Sequence, residues 1–259
     1  MNHAVNLNSD LGESYGAWNM GDDAAMLSIV GSANVACGFH GGDWSVMERT
    51  VREAKRNKVS IGAHPSYPDL QGFGRRPMTM ANDEVKSLMA YQIGALAGVA
   101  ALAGHRVSHV KPHGAINNKA AVDRALADAI AVASAGVDAS LIFLAPAGSA
   151  LVAAGRAAGL KVAEEVFADR NYDDDGNLVP RGRPDAMVHD PEQALQNVLR
   201  MVRESAIVSV SGKRIPTRVD SICVHGDSAG AVAMARHLRA GLEAAGVRLA
   251  PLPEIVAAI

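Results

Sequence analysis

The chain has 259 residues, of which 49% are hydrophobic, 20% charged and only 4% aromatic, a balance that predicts one large α/β domain with a sizeable core and excludes a disordered chain. Lys and Arg number 25 against 27 Asp and Glu, for a net charge of −2. That charge builds no basic field for nucleic acid or an anionic membrane, and so few aromatics argue against stacking platforms for bases or sugars.

In chain order, strands are predicted over Val5–Asp10, Ala33–Cys37, Val59–His64, Val107–Pro112, Leu141–Ala145, Val162–Ala168 and Ser221–His225. The first begins almost at once after a polar start, with no signal peptide before it. Helices fit between the strands. One starts at an Asp43 N-cap with Trp44, Met47, Val51 and Ala54 on one stripe. Another begins at Asn82, with Asp83 and Glu84 in its first turn, and stops at Gly104. Others are predicted over Lys119–Ala135, Ala147–Ala158, Pro191–Glu204 and Ser228–Ala245. Two β runs around Ser211-Gly212 make Ala206–Arg218 an inserted hairpin. The apolar stretch Ile93–Leu102 reads as a buried helix, too short and interrupted to span a membrane. Cys37 and Cys223 fit no metal-pair spacing and read as reduced core residues, so a cytoplasmic location is expected.

Repeated β-then-α units imply a parallel sheet, and no linker divides the chain, so 1–259 is read as one domain. Side-chain parity chooses between an open sheet and a barrel. Parallel strands covered by helices on both faces are apolar on both faces. Here Val5 and Leu7 alternate with Asn6, Asn8 and Asp10, and Val59, Ile61 and Ala63 oppose Ser60, Gly62 and His64. His109 shares a face with Lys111, and Ser221 and Cys223 share one with His225. A polar inner face suits a barrel opening into a wet mouth, with Asp10, His64, Lys111 and His225 inward at strand C-terminal ends, where barrel enzymes build their sites.

Polar clusters follow these strands. Asn8-Ser9-Asp10-Leu11-Gly12-Glu13 sets two acids around a turn glycine, fit for a base or metal ligands, or for a solvated Asx turn. Asn34 through Asp43 brings His40 beside glycines that let backbone N–H groups approach a ligand. His64 is trailed by a Gly-rich loop carrying Arg75 and Arg76, which could clamp a carboxylate or serve as surface charge. Lys111-Pro112-His113-Gly114 sets an ammonium beside an imidazole, able to stabilise an oxyanion and move protons. Glu165, Asp169 and Arg170 flank a strand end, as site residues or a structural ion pair. His225-Gly226-Asp227 is the last cluster. If a divalent metal binds, Asp10, His40 and His64 are the candidate ligands.

Three motifs fail on inspection. Gly226-Asp227-Ser228-Ala229-Gly230 mimics a nucleophile elbow, but the 31 residues after Ser228 contain no Asp to complete a triad. Asn171–Gly176 opens like an EF-hand loop, yet its twelfth position is Gly182 where a bidentate Glu is required. No P-loop pattern occurs.

Taken together, Leu7–Glu13, Asn34–Asp43, Gly62–Arg76, Lys111–Ala115, Glu165–Arg170 and Cys223–Asp227 resemble, in this order, the blocks of the lactam-utilisation (LamB/YcsF) family of 5-oxoprolinase A subunits. The chain departs at Ile116-Asn117, where Leu-Tyr is usual, and at Ser228-Ala229, where a Thr- or Asn-Pro pair is common. Both bear on substrate fit. The resemblance implies a distorted (β/α) TIM-like barrel of about seven parallel strands, glycoside hydrolase/deacetylase-like. It also implies ATP-coupled opening of 5-oxoproline to glutamate together with B and C subunits, with ATP held wholly or partly by those partners. Within it Asp10, Glu13, His40, His64, Lys111, His113, His225 and Asp227 are the catalytic candidates, and Asn8, Asn34, Arg75, Arg76, Glu165, Asp169 and Arg170 the substrate-binding ones. An ATP-independent metal-dependent C–N hydrolase or deacetylase, and a non-catalytic lactam-binding subunit, are the rival readings.

Overall fold

A computed structural model describes residues 4–226 and 230–258. The chain runs β1 (Ala4–Leu11), α1 (Asp23–Leu27), β2 (Ser32–Ala36), α2 (Trp44–Arg56), β3 (Ser60–His64), α3 (Asn82–Leu102), β4 (Val107–Val110), α4 (Gly114–Ala120) and α5 (Arg124–Val137). It continues through β5 (Ile142–Pro146), α6 (Ala150–Ala157), β6 (Lys161–Phe167), α7 (Pro191–Glu204), β7 (Ala206–Val208), β8 (Arg214–Pro216), β9 (Ser221–Cys223), α8 (Ala231–Ala244), β10 (Arg248–Leu249) and α9 (Leu252–Ala257).

Strands β1 through β6 pair in sequence order, and β9 pairs in parallel with both β6 and β1. The sheet therefore closes on itself as a barrel of seven parallel strands. Closure buries the polar inner face, and the polar groups there must find partners. The barrel floor is a polar layer: Asn6 donates to Ser32 Oγ at 2.9 Å, Ser221 donates to Asn6 Oδ1 at 2.8 Å, and Ser32 and Ser60 hydroxyls meet at 2.7 Å. One layer up, Asn34 Nδ2 donates to Asn8 Oδ1 at 2.8 Å, Asn8 donates to Glu165 Oε1 at 2.9 Å, and His109 Nε2 donates to Asn34 Oδ1 at 3.0 Å. Gly62 on β3 makes room for that imidazole, since a Cβ there would stand 2.1 Å from His109 Cδ2.

The outer faces of the strands are apolar and carry the helices. Asp43 caps α2, accepting from the backbone N–H groups of Ser45 and Val46 at 2.8 and 3.0 Å. The buried stripe of α2 is Val46, Met47, Thr50, Val51 and Ala54, whereas Trp44, predicted to share it, is exposed. Helix α3 has 21 residues and starts at Asn82 and ends before Gly104 as predicted; taken whole, unlike the stretch Ile93–Leu102 alone, it is by length and composition apolar enough to cross a bilayer. Its Leu88, Met89, Gln92, Ile93 and Leu96 are buried here, and Gln92 bonds both the N–H and the carbonyl of Ser66 at 2.9 Å.

The hairpin forms as β7 and β8, antiparallel. The single helix predicted over Lys119–Ala135 is two, because Asp123 caps a new start by accepting from Leu126 N–H at 3.1 Å. Helix α6 likewise starts later than predicted, at Ala150. The N-cap assigned to Ser228 lies outside the described residues. The short C-terminal β10, parallel to β1, and α9 were not predicted; two and six residues carry too little periodicity to read.

Candidate active site

The C-terminal ends of the strands open into a cavity of about 780 Å³ lined by Asp10, His64, Lys111, His113, His225, Arg75 and Arg170, among others. Lys111 forms its floor. Strand β4 ends at Val110, but the chain stays in register because Lys111 N–H donates to the Ala63 carbonyl at 2.9 Å, which aims the side chain down the barrel axis. Its ammonium lies 2.9 Å from Asp10 Oδ1, 3.2 Å from Glu165 Oε2 and 3.2 Å from Cys223 Sγ. Burial pushes the Lys111 pKa down, but Asp10, Cys223 and Glu165 outweigh it and hold the ammonium well above its usual value. For Asp10 burial pushes up, while His64 and Lys111 win and keep the carboxylate ionised. Glu165, deepest of the three, is raised by burial despite Lys111. A fixed positive charge thus sits buried at the cavity floor with one firmly ionised carboxylate beside it.

On one side of Lys111 lies a histidine cluster. His64 Nδ1 donates to the Lys111 carbonyl at 2.7 Å, and His64 Nε2 lies 3.3 Å from Asp10 Oδ2 and 3.0 Å from His113 Nδ1. His40 stacks on His113 with ring centroids 3.7 Å apart and contacts Glu13 Oε1 through Nε2 at 3.1 Å. Burial lowers the His40 pKa to about 3, so its imidazole is neutral. The turn that packs these groups needs bare backbone: Gly42 has φ +76°, and a Cβ there would stand 2.6 Å from the Gly12 carbonyl.

On the other side, His225 Nδ1 donates to Asp169 Oδ2 at 2.7 Å. Burial opposes the imidazolium, yet Asp169 prevails and raises the His225 pKa. The same contact keeps Asp169 low against its burial. Arg170 donates to the Val179 carbonyl at 2.6 Å and so ties down the long connection between β6 and α7. Burial, with Arg181 nearby, brings its pKa down to about 10.

Asp10, His64, Lys111, His113, His225, Arg75 and Arg170 therefore meet at one cavity, and Asn8, Asn34 and Glu165 support its floor from beneath. Glu13 and His40 lie behind His113, outside the lining. Asp169 acts through His225. Arg76 takes the surface-charge alternative: it pairs with Asp69 in the Gly-rich loop, with its side chain 65% exposed, and is not among the residues lining the cavity. The candidate ligand set Asp10, His40 and His64 is also not a compact group. Lys111 and Asn34 draw Asp10 to the barrel axis, and the atoms that cluster are those of Glu13, His40, His64 and His113. Asp227 lies outside the described residues.

Three contributors escaped the sequence reading. Cys223, expected as inert core, touches the Lys111 ammonium, and its parity with His225 already pointed it inward. His109 holds Asn34. Arg181, 3.4 Å from His225, belongs to an irregular loop that carries no periodic signal.

The LamB/YcsF family pattern matches residues 5–257. The chain belongs to the LamB/YcsF family. Among curated relatives, the 5-oxoprolinase A subunit of Rhodopseudomonas palustris (strain ATCC BAA-98 / CGA009) is 56% identical over 248 residues, covering 95% of this chain and 98% of its own. Among solved structures, the lactam utilization protein from Thermus thermophilus superposes with a TM-score of 0.90 at 43% identity, over 95% of this chain and 99% of that one. The catalytic domain of a peptidoglycan N-acetylglucosamine deacetylase from Eubacterium rectale ATCC 33656 aligns at a TM-score of 0.52 over 97% of this chain and 89% of that one, at 12% identity, and so shares the fold alone. The barrel thus shares its fold with a deacetylase catalytic domain, as the family resemblance implied.

Proposed function

We propose that this LamB/YcsF protein is the A subunit of an ATP-hydrolysing 5-oxoprolinase and that it opens the 5-oxoproline lactam to glutamate together with B and C subunits. The observation that carries the reading is the buried Lys111 ammonium between Asp10 and Glu165 at the floor of an open cavity, in a chain over half identical to named 5-oxoprolinase A subunits.

The lactam is an unstrained amide, so its carbonyl needs activation. In this reading the terminal phosphoryl group of ATP passes to the amide oxygen, breaking its bond to ADP and leaving a carbon open to water. Water adds there, the C–N bond breaks, and the ring nitrogen takes a proton. The resulting acyl phosphate is hydrolysed by a second water to glutamate and phosphate. Lys111 stabilises the charge developing on oxygen, since an ammonium already held in place by Asp10 and Glu165 needs little reorganisation. Asp10, kept ionised, orients the attacking water. His225, held by Asp169, stands at the cavity wall as proton donor to the departing nitrogen. Arg75, also on the lining, supplies the cation for the substrate carboxylate. In the absence of a P-loop pattern, the partner subunits contribute to the nucleotide site. The unpaired, buried Cys37 and Cys223 suit a reducing, cytoplasmic setting.

The reading is tested by co-expressing the chain with its candidate partners and measuring glutamate and phosphate release from 5-oxoproline. One phosphate per glutamate, with neither formed when ATP is withheld, supports it. Glutamate release that ignores ATP refutes it.

A further inference from the structure

The two imidazoles at the cavity wall are in conflict over protons. His64 Nδ1 lies 2.7 Å from the Lys111 carbonyl, which only accepts, so Nδ1 carries the hydrogen and Nε2 of the neutral ring is bare. His113 Nε2 lies 2.9 Å from the Phe73 carbonyl, so the same logic leaves its Nδ1 bare. These two bare nitrogens face each other at 3.0 Å. Two lone pairs aimed at one another repel, Asp10 Oδ2 stands 3.3 Å from the same His64 Nε2, and a positive charge at that nitrogen removes the conflict. A proton or a metal ion would serve.

Several features favour the ion. Glu13 Oε1 lies 3.6 Å from His113 Nδ1, and the nearest ligand atoms of Glu13, His64 and His113 all fall within 4.8 Å of one another. Bonds of about 2.0–2.1 Å to a tetrahedral ion set its ligand atoms roughly 3.3 Å apart, close to these separations. Each imidazole gives its far N–H to a backbone carbonyl, the arrangement by which metal-binding histidines are oriented.

We propose that His64 Nε2, His113 Nδ1 and the Glu13 carboxylate form a binding site for one divalent transition-metal ion of the Zn²⁺ type. His40 is not a fourth ligand. Its ring is stacked on His113 with 4° between planes and centroids 3.7 Å apart, and an ion bound in the plane of one ring cannot lie in the plane of the other. His40 instead donates to Glu13 Oε1 and is a positioning residue. His64 and His113 line the cavity and Glu13 does not, so the remaining coordination position faces the cavity. There the ion would supply Lewis acidity toward a carbonyl or phosphoryl oxygen.

The test reads metal alone, without substrate or partners, so its failure leaves the assignment of the reaction untouched. Chelator-stripped protein is dialysed against Zn²⁺ and analysed for metal, and a parallel sample is titrated with Co²⁺ and followed by visible ligand-field absorption. One Zn²⁺ per chain and the spectrum of a four- or five-coordinate Co²⁺ are expected. His64→Gln and His113→Gln should each abolish the Co²⁺ spectrum. His40→Gln should weaken Zn²⁺ affinity about 10–100-fold, as loss of an outer-shell partner does. His237→Gln, at an exposed histidine, should change nothing. If a variant does not fold, the wild-type uptake and spectrum decide. Absence of stoichiometric Zn²⁺ uptake by the wild-type chain, as a shared proton would give, or uptake unaltered in folded His64→Gln and His113→Gln, overturns the proposal.

Discussion

The Lys111 ammonium and the Asp10 carboxylate, 101 residues apart in sequence, meet at 2.9 Å on the barrel axis, both buried. Glu165 stands on the far side of the same ammonium at 3.2 Å. Removing the cation leaves two buried carboxylates without the charge that separates them. Lys111→Met is therefore expected to lower stability by about 3–5 kcal/mol, the cost of breaking a buried ion pair from one side. Urea unfolding measures it, and a double variant with Asp10→Asn should recover part of the loss.

His109 makes the fold sensitive to acid. Burial depresses its pKa from 6.5 to about 3. Between those values the unfolded chain binds a proton that the folded chain refuses, so stability falls with falling pH, by at most about 1.4 kcal/mol per pH unit. His225 has the opposite sign. Its raised pKa gives stability that is full below 6.5 and is lost as pH rises through the folded value. Urea midpoints across pH should show the acid slope reduced in His109→Gln and the loss that sets in above 6.5 reduced in His225→Gln.

Glycine substitutions should separate the packed interior from the open helix surface. Gly62→Ala drives a methyl group into the His109 ring, 2.1 Å from Cδ2, and is expected to cost about 1–3 kcal/mol or more. Gly94→Ala in α3 meets nothing within 4 Å among the described residues and should stabilise by roughly 1 kcal/mol through helix propensity. Thermal unfolding of the two variants should shift in opposite directions.

The adjacent arginines should behave differently. Arg75 lines the cavity and stacks its guanidinium 4.8 Å over the Phe73 ring. Arg76 is committed to Asp69. Arg75→Ala is expected to weaken binding of an anionic substrate by about 1.5–3 kcal/mol, the range of a hydrogen bond to a charged group. Arg76→Ala should leave binding unchanged and show in loop stability instead. Calorimetric titration of 5-oxoproline into the assembled complex distinguishes them.

The barrel was legible because parity is a local signal with a global cause. Asn6, Asn8 and Asp10 alternate with Val5 and Leu7, and such a strand has a polar face that only a closed sheet buries with partners. The same rule carried Asp10, His64, Lys111 and His225 to one mouth. Where no period exists, the sequence was silent. Arg181 and the loop tied down by Arg170 reach the site through irregular backbone, and Arg76 was indistinguishable from Arg75 until Asp69 was seen to hold it. The break at Asp123 was missed because an N-cap inside an Ala-rich run leaves the apolar pattern unchanged on both sides.

In the proposed reaction the Lys111–Asp10 pair at the cavity floor carries out lactam opening. The most direct measurement is ATP-dependent glutamate release from 5-oxoproline by the complete complex containing Asp10→Asn, which keeps the side chain's shape and removes its charge. Turnover reduced at least about 100-fold in a complex that still assembles and binds 5-oxoproline is expected, the lower end of what a positioned acid–base group contributes. Turnover within twofold of the wild-type complex would contradict it.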